Sequence, residues 1–324
     1  MVKRSPFKSL ATILFILYAT QIAMAEPENP QVLPSTDGAV GALDDLPAHL
    51  VRAFEATGHF DPLAPPGPGD WLAEHPEPGQ TFEQFLQARP HRPDARRQKL
   101  YLLPLGEFPP HRSPAIDLLR EFAAAFFSLE VTLLPPRDLD TAAIEGRRNP
   151  HTGQFQLDAR AVLRLLRRRL PADAFALLGV TMVDLYPDPT WNFVFGLASP
   201  ADRVGVFSFA RYDPRFYGET DSENASNLLL RRSCKVLAPE IGHMFGLGHC
   251  VFFNCLMNGS NHLAESDARP LHLCPVDLRK LQHGVGFDPE ARYRRLLDFS
   301  RNVGFDEEST WLEKRLRYLE GIPD

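Results

Sequence analysis

The sequence predicts an α+β domain built around a partly parallel sheet. Three observations lead there: from about residue 98 apolar strand runs alternate with helical patterns, those runs are apolar along their whole length, and a long helical stretch near residue 240 carries a histidine pattern. KLYLLPLG (99–106) is an unbroken apolar run and reads as a buried strand. Residues 116–127 repeat apolar side chains at helical spacing, and LEVTLLP (129–135) reads as the next strand, which makes a βαβ unit. Residues 160–170 form an arginine-rich helix in which Val162, Leu163, Leu166 and Leu170 mark one buried stripe. ALLGVTMVDLY (176–186), NFVFGLA (192–198) and RVGVFSFARY (203–212) read as further strands. After a polar loop (213–226), LLLRRSCKVLAPEIGHMFGLG has helical spacing, and two short helices, over 292–299 and 311–319, close the chain.

The first 25 residues read as an export signal. Lys3, Arg4 and Lys8 form a basic start, Leu10 to Ala19 is apolar, and Ala23-Met24-Ala25 supplies a small-residue cleavage site before Glu26. That apolar run is shorter than the roughly 20 residues a membrane span needs, so the expectation is a secreted or periplasmic protein with no stable membrane insertion after cleavage at Ala25. Residues 26–97 form a segment rich in proline and acid, with APPGPGD at 64–70 as a loop and only Phe82 to Leu86 hinting at a helix. Residues 98–324 hold the domain itself. The net charge of −6 becomes −9 once the three basic residues of the signal are removed, and the Arg164 to Arg169 cluster reads as a solvated helix face. Nothing in that balance points to nucleic acid.

The chemistry concentrates in APEIGHMFGLGHC (238–250). It matches the zinc pattern His-Glu-x-x-His-x-x-Gly-x-x-His at Glu240, His243, Gly246 and His249, with Pro239 where the first histidine belongs. Histidines four apart on a helix share one face and can hold a zinc ion between them. A glutamate beside the metal's open position can take a proton from a zinc-bound water. Gly246 lets the chain turn so that His249 returns as a ligand, and Met257 in CLMNGS (255–260) is placed for a methionine-bearing turn beneath the site.

On these residues the chain resembles the archaemetzincins. The likeness runs from GDWLAEHPEPGQTFEQF (69–85) through GVTMVDLYPDPTWNFVFGLAS (179–199) and CLMNGSNHLAESDARPLHLCP (255–275) to GVGF (284–287). The resemblance implies a metzincin-type zincin fold, with a mixed sheet, an active-site helix and a methionine turn, and hydrolysis of peptide or protein substrates. It also implies two zinc ions. The catalytic one would use positions 239, 243 and 249 with Glu240 as base. The structural one would use four cysteines, of which Cys250, Cys255 and Cys274 match three and Asp277 stands at the fourth. A carboxylate oxygen also binds zinc, so Asp277 is a workable ligand. A disulfide or free thiols stay open beside it, and Cys234 reads as a buried structural thiol outside both sites.

Pro239 is the severe departure. It brings no donor atom and deletes the amide that would bond to the carbonyl of Lys235, so the expectation is a kinked or late-starting helix, weak zinc binding, and weak or absent hydrolysis. His262 and His272 are the nearby histidines that could substitute, and both read as loop or core residues. The alternative to a weakened metallopeptidase is a catalytically inactive zinc-binding or peptide-binding protein that keeps the fold. A disulfide-stapled domain without metal is a third reading.

Overall fold

A computed structural model describes residues 35–139, 144–218 and 225–322. The expected export signal lies outside the described residues. Five strands form the main sheet in the order β2 (Val131–Leu133), β1 (Lys99–Leu105), β5 (Ala174–Thr181), β8 (Val204–Ser208), β7 (Gly196–Ser199). All neighbours pair in parallel except β7, which runs antiparallel to β8. A second sheet joins β3 (Gly146–Arg148), β4 (Phe155–Asp158) and β6 (Asp184–Tyr186), mixed in sense.

Both faces of the main sheet are covered, which is why its strands are apolar throughout. Successive residues of a strand point to opposite sides. Leu100 and Leu102 of β1 therefore join one core with Phe122 and Phe126 of α5 (Ile116–Phe127), while Tyr101, Leu103 and Leu105 join a second core beneath α6 (Ala159–Arg167). The first core also receives Val236, Leu237, Ile241 and Phe245 from the long helix α7 (Ala225–Met244) and the turn after it.

Several expected elements shift. The run 176–186 is not one strand but β5 and β6 in different sheets, because the chain turns at Met182–Val183, where the Val183 amide donates to Thr181 Oγ1. The stretch 203–212 leaves the sheet after Ser208 and ends in a 3-10 turn at Ala210–Tyr212. On α6, Leu165 is buried in place of Leu163, which is half-buried, and Arg164 and Arg167 face solvent. Beyond Cys274 there are three helices rather than two: α9 (Pro275–Val285), α10 (Pro289–Val303) and α11 (Asp306–Leu319).

Residues 35–97 carry four short helices: α1 (Thr36–Val40), α2 (Ala48–Phe54), α3 (Trp71–Glu74) and α4 (Phe82–Gln87). The last has a capping box between Thr81 and Gln84. Val40, Phe54, Phe60 and Phe85 bury into the first core, and the Trp71 ring is buried against Gly259, so this segment is packed onto the rest of the chain. Among the described residues no helix is long and apolar enough to cross a membrane.

Candidate active site and metal centre

Helix α7 runs through Pro239 without a late start, contrary to the sequence-based expectation. Proline still removes one helix hydrogen bond, but Val236, Leu237, Ala238 and Ile241 are all buried around it. Tertiary packing of this kind, more than propensity, holds a helix together. Its last turn presents Glu240 and His243, both nearly inaccessible to solvent. Gly246 then adopts φ +80°, the left-handed region open to glycine, and the Leu247 amide closes the helix end on the Gly242 carbonyl.

The turn brings His249 back so that its ring centre lies 5.2 Å from that of His243. Each imidazole has its tautomer set by an acceptor. His243 donates through Nδ1 to the Leu247 carbonyl at 2.7 Å. His249 donates through Nδ1 to the Glu77 carboxylate at 2.9 and 3.1 Å. An acceptor on Nδ1 of each ring leaves Nε2 as the lone-pair nitrogen of the neutral form, the arrangement that outer-shell acceptors enforce on metal-binding histidines. Met257 lies beneath the helix, where a Cβ on Gly242 would meet its sulfur at 3.0 Å, and its carbonyl accepts from the Cys250 amide.

The environment is dry. Burial pushes the Glu240 carboxyl up to about 8, with the Arg269 charge opposing in part. Burial also pushes His243 down to about 3, helped by the neighbouring His249. Burial raises Glu77 too, but hydrogen bonds from His249 and Trp71 outweigh it and hold that carboxyl below its usual range. Pro239, Glu240, His243, His249, Ser260 and Arg269 line a cavity with about 10 Å³ of room, close to the size of one water. Glu240 Oε2, Ser260 Oγ and Arg269 Nε are buried there without a hydrogen-bond partner. The cavity is polar enough for a small guest, yet position 239 offers it only an apolar ring. His243 and His249 bring two imidazoles to this cavity, and Pro239 brings no donor atom.

His262 and His272 do not fill the gap. His272 stacks on Trp311 with ring centres 3.6 Å apart, inside the packing of the C-terminal helices, where burial pushes it down to about 3. His262 caps α8 (Leu263–Ala268) by accepting the Glu265 amide on Nδ1, and its Nε2 faces Asp70 at 3.3 Å. Asp70, His262 and Glu265 bring donor atoms within 4.8 Å of one another. With Nδ1 already accepting and Nε2 donating, however, the neutral imidazole has no lone pair left for a metal.

The second predicted cluster comes together. Cys250, Cys255, Cys274 and Asp277 are fully buried, with one donor atom from each within 4.8 Å of the others. Cys250 Sγ lies 3.6 Å from Cys274 Sγ, and Asp277 Oδ2 lies 3.3 Å from Cys255 Sγ and 3.5 Å from Cys274 Sγ. Tetrahedral zinc with ordinary bond lengths requires edges of about 3.8 Å between sulfurs and about 3.5 Å between sulfur and oxygen. The donor set therefore fits a closed structural zinc. All four cysteines are free thiols, with Cys234 buried apart from the cluster. Burial raises Cys255 and Cys274, while hydrogen bonds from those two bring Cys250 down.

Sequence reasoning missed the contribution of residues 71–80. Glu77 accepts from both His249 and Trp71 Nε1, the Trp71 ring stands 5.2 Å from the His249 ring, and Gln80 bonds to both Gly246 and Gly248. Apart from the Trp71–Glu77 bond, these contacts span some 170 residues of sequence and leave no local periodicity.

A helix bearing a glutamate and a histidine, a glycine turn, a returning histidine and a methionine underneath define the chain as a zinc metallopeptidase of the metzincin type. Residues 132–283 match Peptidase family M54. Archaemetzincin-2 of Macaca fascicularis is 41% identical over 275 residues, covering 76% of each chain, and that of Homo sapiens is 40% identical over the same length and coverage. Archaemetzincin-1 of Homo sapiens is 34% identical over 261 residues, covering 72% of this chain and 52% of that one. The crystal structure of archaemetzincin from Methanopyrus kandleri is 33% identical with a TM-score of 0.45, covering 59% of this chain and 97% of that one. The chain belongs to the archaemetzincins, peptidase family M54.

Proposed function

We propose that this protein is an archaemetzincin whose peptide-hydrolysing centre is weakened or lost at Pro239, while its cysteine–aspartate cluster keeps a structural zinc. The observation that carries the reading is Pro239 itself, a ring without a donor atom on the wall of the cavity shared by Glu240, His243 and His249. In a complete centre the metal supplies an activated water, to which a neighbouring carboxylate acts as base. In this chain Leu247 holds Nδ1 of His243 and Glu77 holds Nδ1 of His249, and Glu240 lines the same cavity. A peptide or protein substrate would reach that carboxylate only through a nearly closed site, since Glu240 is 2% exposed. This burial favours the second reading, a catalytically inactive zinc-binding or peptide-binding protein, as the limit of the same loss.

The test is hydrolysis of short fluorogenic peptides by the purified chain with zinc supplied. The expected rate lies at the level of Glu240→Gln, and a rate far above that variant would contradict the reading. Export is part of the proposal, supported by the basic start, apolar run and small-residue site of residues 1–25. N-terminal sequencing of protein recovered outside the cytoplasm should begin at Glu26; an intact Met1 on a membrane-bound form would refute it.

A further inference from the structure

We infer that Lys280 is the counter-charge and positioning residue of the cysteine–aspartate site, an assignment that rests on that cluster being a zinc site. Lys280 Nζ lies 2.9 Å from Asp277 Oδ1, and the two side chains are 1% and 0% exposed. They stand three residues apart, one turn along α9, so the helix itself holds them face to face. The pair divides the carboxylate. Lys280 takes Oδ1, and Oδ2 is left aimed at Cys255 and Cys274. An aspartate without that anchor could rotate or turn both oxygens to the cluster; with it, the group presents one oxygen, Oδ2, to the cysteine sulfurs.

Charge bookkeeping gives Lys280 a second role. Were zinc bound, Cys250, Cys255 and Cys274 would hold it as thiolates and Asp277 as a carboxylate, with any thiol protons released to solvent. The ion brings +2, while three thiolates and one carboxylate bring −4, so the filled cluster carries −2 in a site sealed from water. Isolated buried charge is expensive. Lys280 brings the total to −1. Lys280 is the cation placed directly against the ligand carboxylate in that sealed site, so its attraction would add to whatever negative charge a bound zinc gathers there, which favours zinc retention and not merely the fold. Arg269, a second buried cation, is directed elsewhere, at the carbonyls of Leu256 and Asn258 and at Ser266 Oγ. The same architecture explains how an oxygen ligand can serve where the family pattern has sulfur: the aspartate arrives with its own partner already in place.

The test compares the full chain with Lys280→Met and Lys280→Gln, measuring zinc affinity by competition with a chromophoric chelator at neutral pH. Melting of each metal-free form is recorded in parallel. Both variants should hold zinc about 10–100-fold more weakly than the natural chain, the range for losing an outer-shell partner. Lys280→Gln keeps a hydrogen-bond donor without the charge, so its loss would locate the effect in the charge. A variant whose metal-free melting falls but whose zinc affinity equals that of the natural chain would overturn the inference while leaving the zinc site intact. If the natural chain itself takes up no zinc, the underlying assignment of the cluster fails instead. Should Lys280→Met not fold, Lys280→Gln alone decides between these outcomes.

Discussion

Pro239→His is expected to raise catalytic zinc affinity at least about 100-fold and to bring peptide hydrolysis up with it. The loss of an outer-shell partner alone costs about 10–100-fold in metal affinity, and a direct ligand should cost more. His243 and His249 already have their tautomers set, so one added imidazole on the same helix face completes a three-histidine set without rearranging the others. The substitution also restores the amide that donates to Lys235, where proline in a helix interior costs about 3 kcal/mol. Part of that gain will be offset by fitting an imidazole against a cavity with about 10 Å³ of room. Glu240→Gln in the restored background should abolish hydrolysis and leave the zinc in place. If the natural chain cleaves peptides well and Pro239→His adds nothing, a substitute ligand exists and the site is misassigned.

Cys274→Ala is expected to release the structural zinc and lower the melting temperature sharply. Cys274 is the N-cap of α9, and its sulfur lies within 3.6 Å of both Cys250 Sγ and Asp277 Oδ2. Structural zinc in small peptide sites contributes about 10–16 kcal/mol of apparent binding energy near neutral pH, against about 5–15 kcal/mol for the whole stability of a domain. The loss would also loosen the loop that carries His249, because the Cys250 amide is tied to the Met257 carbonyl and Asn258 bonds back to Cys250. The sharper readout is chelator dependence. A strong chelator should lower the melting temperature of the natural chain and leave that of Cys274→Ala unchanged. A natural chain that ignores the chelator and shows only two disulfides on thiol titration would refute the zinc assignment.

Much of this architecture could be read from residue order alone. Helix α5 occupies 116–127 as its apolar spacing predicts, because that periodicity is a local property of the chain. The runs at 99–106 and 129–135 mark strands for a similar reason, since burial on both faces removes polar alternation. What failed was whatever depended on distant partners. An apolar run such as 176–186 does not say which sheet each half will join. The β3–β4 hairpin is short and polar, so it left no hydrophobic signal. Pro239 argued locally for a kinked or late-starting helix, and the surrounding core carries the helix through it without a late start. The motif at 240–249 was legible because metal chemistry fixes residue types and spacings, and the cysteine–aspartate cluster was legible through the resemblance to the archaemetzincins. Glu77, Trp71 and Lys280 were not, since a carboxylate, an indole and a lysine at those positions acquire meaning only from what the fold places beside them.

The most direct measurement is the number of zinc ions per chain after exhaustive dialysis, taken side by side on the natural protein and Pro239→His by native mass spectrometry. The structure predicts one ion in the natural chain, at the cysteine–aspartate cluster, and two in the variant. Two ions already in the natural chain, or none in either, would contradict it.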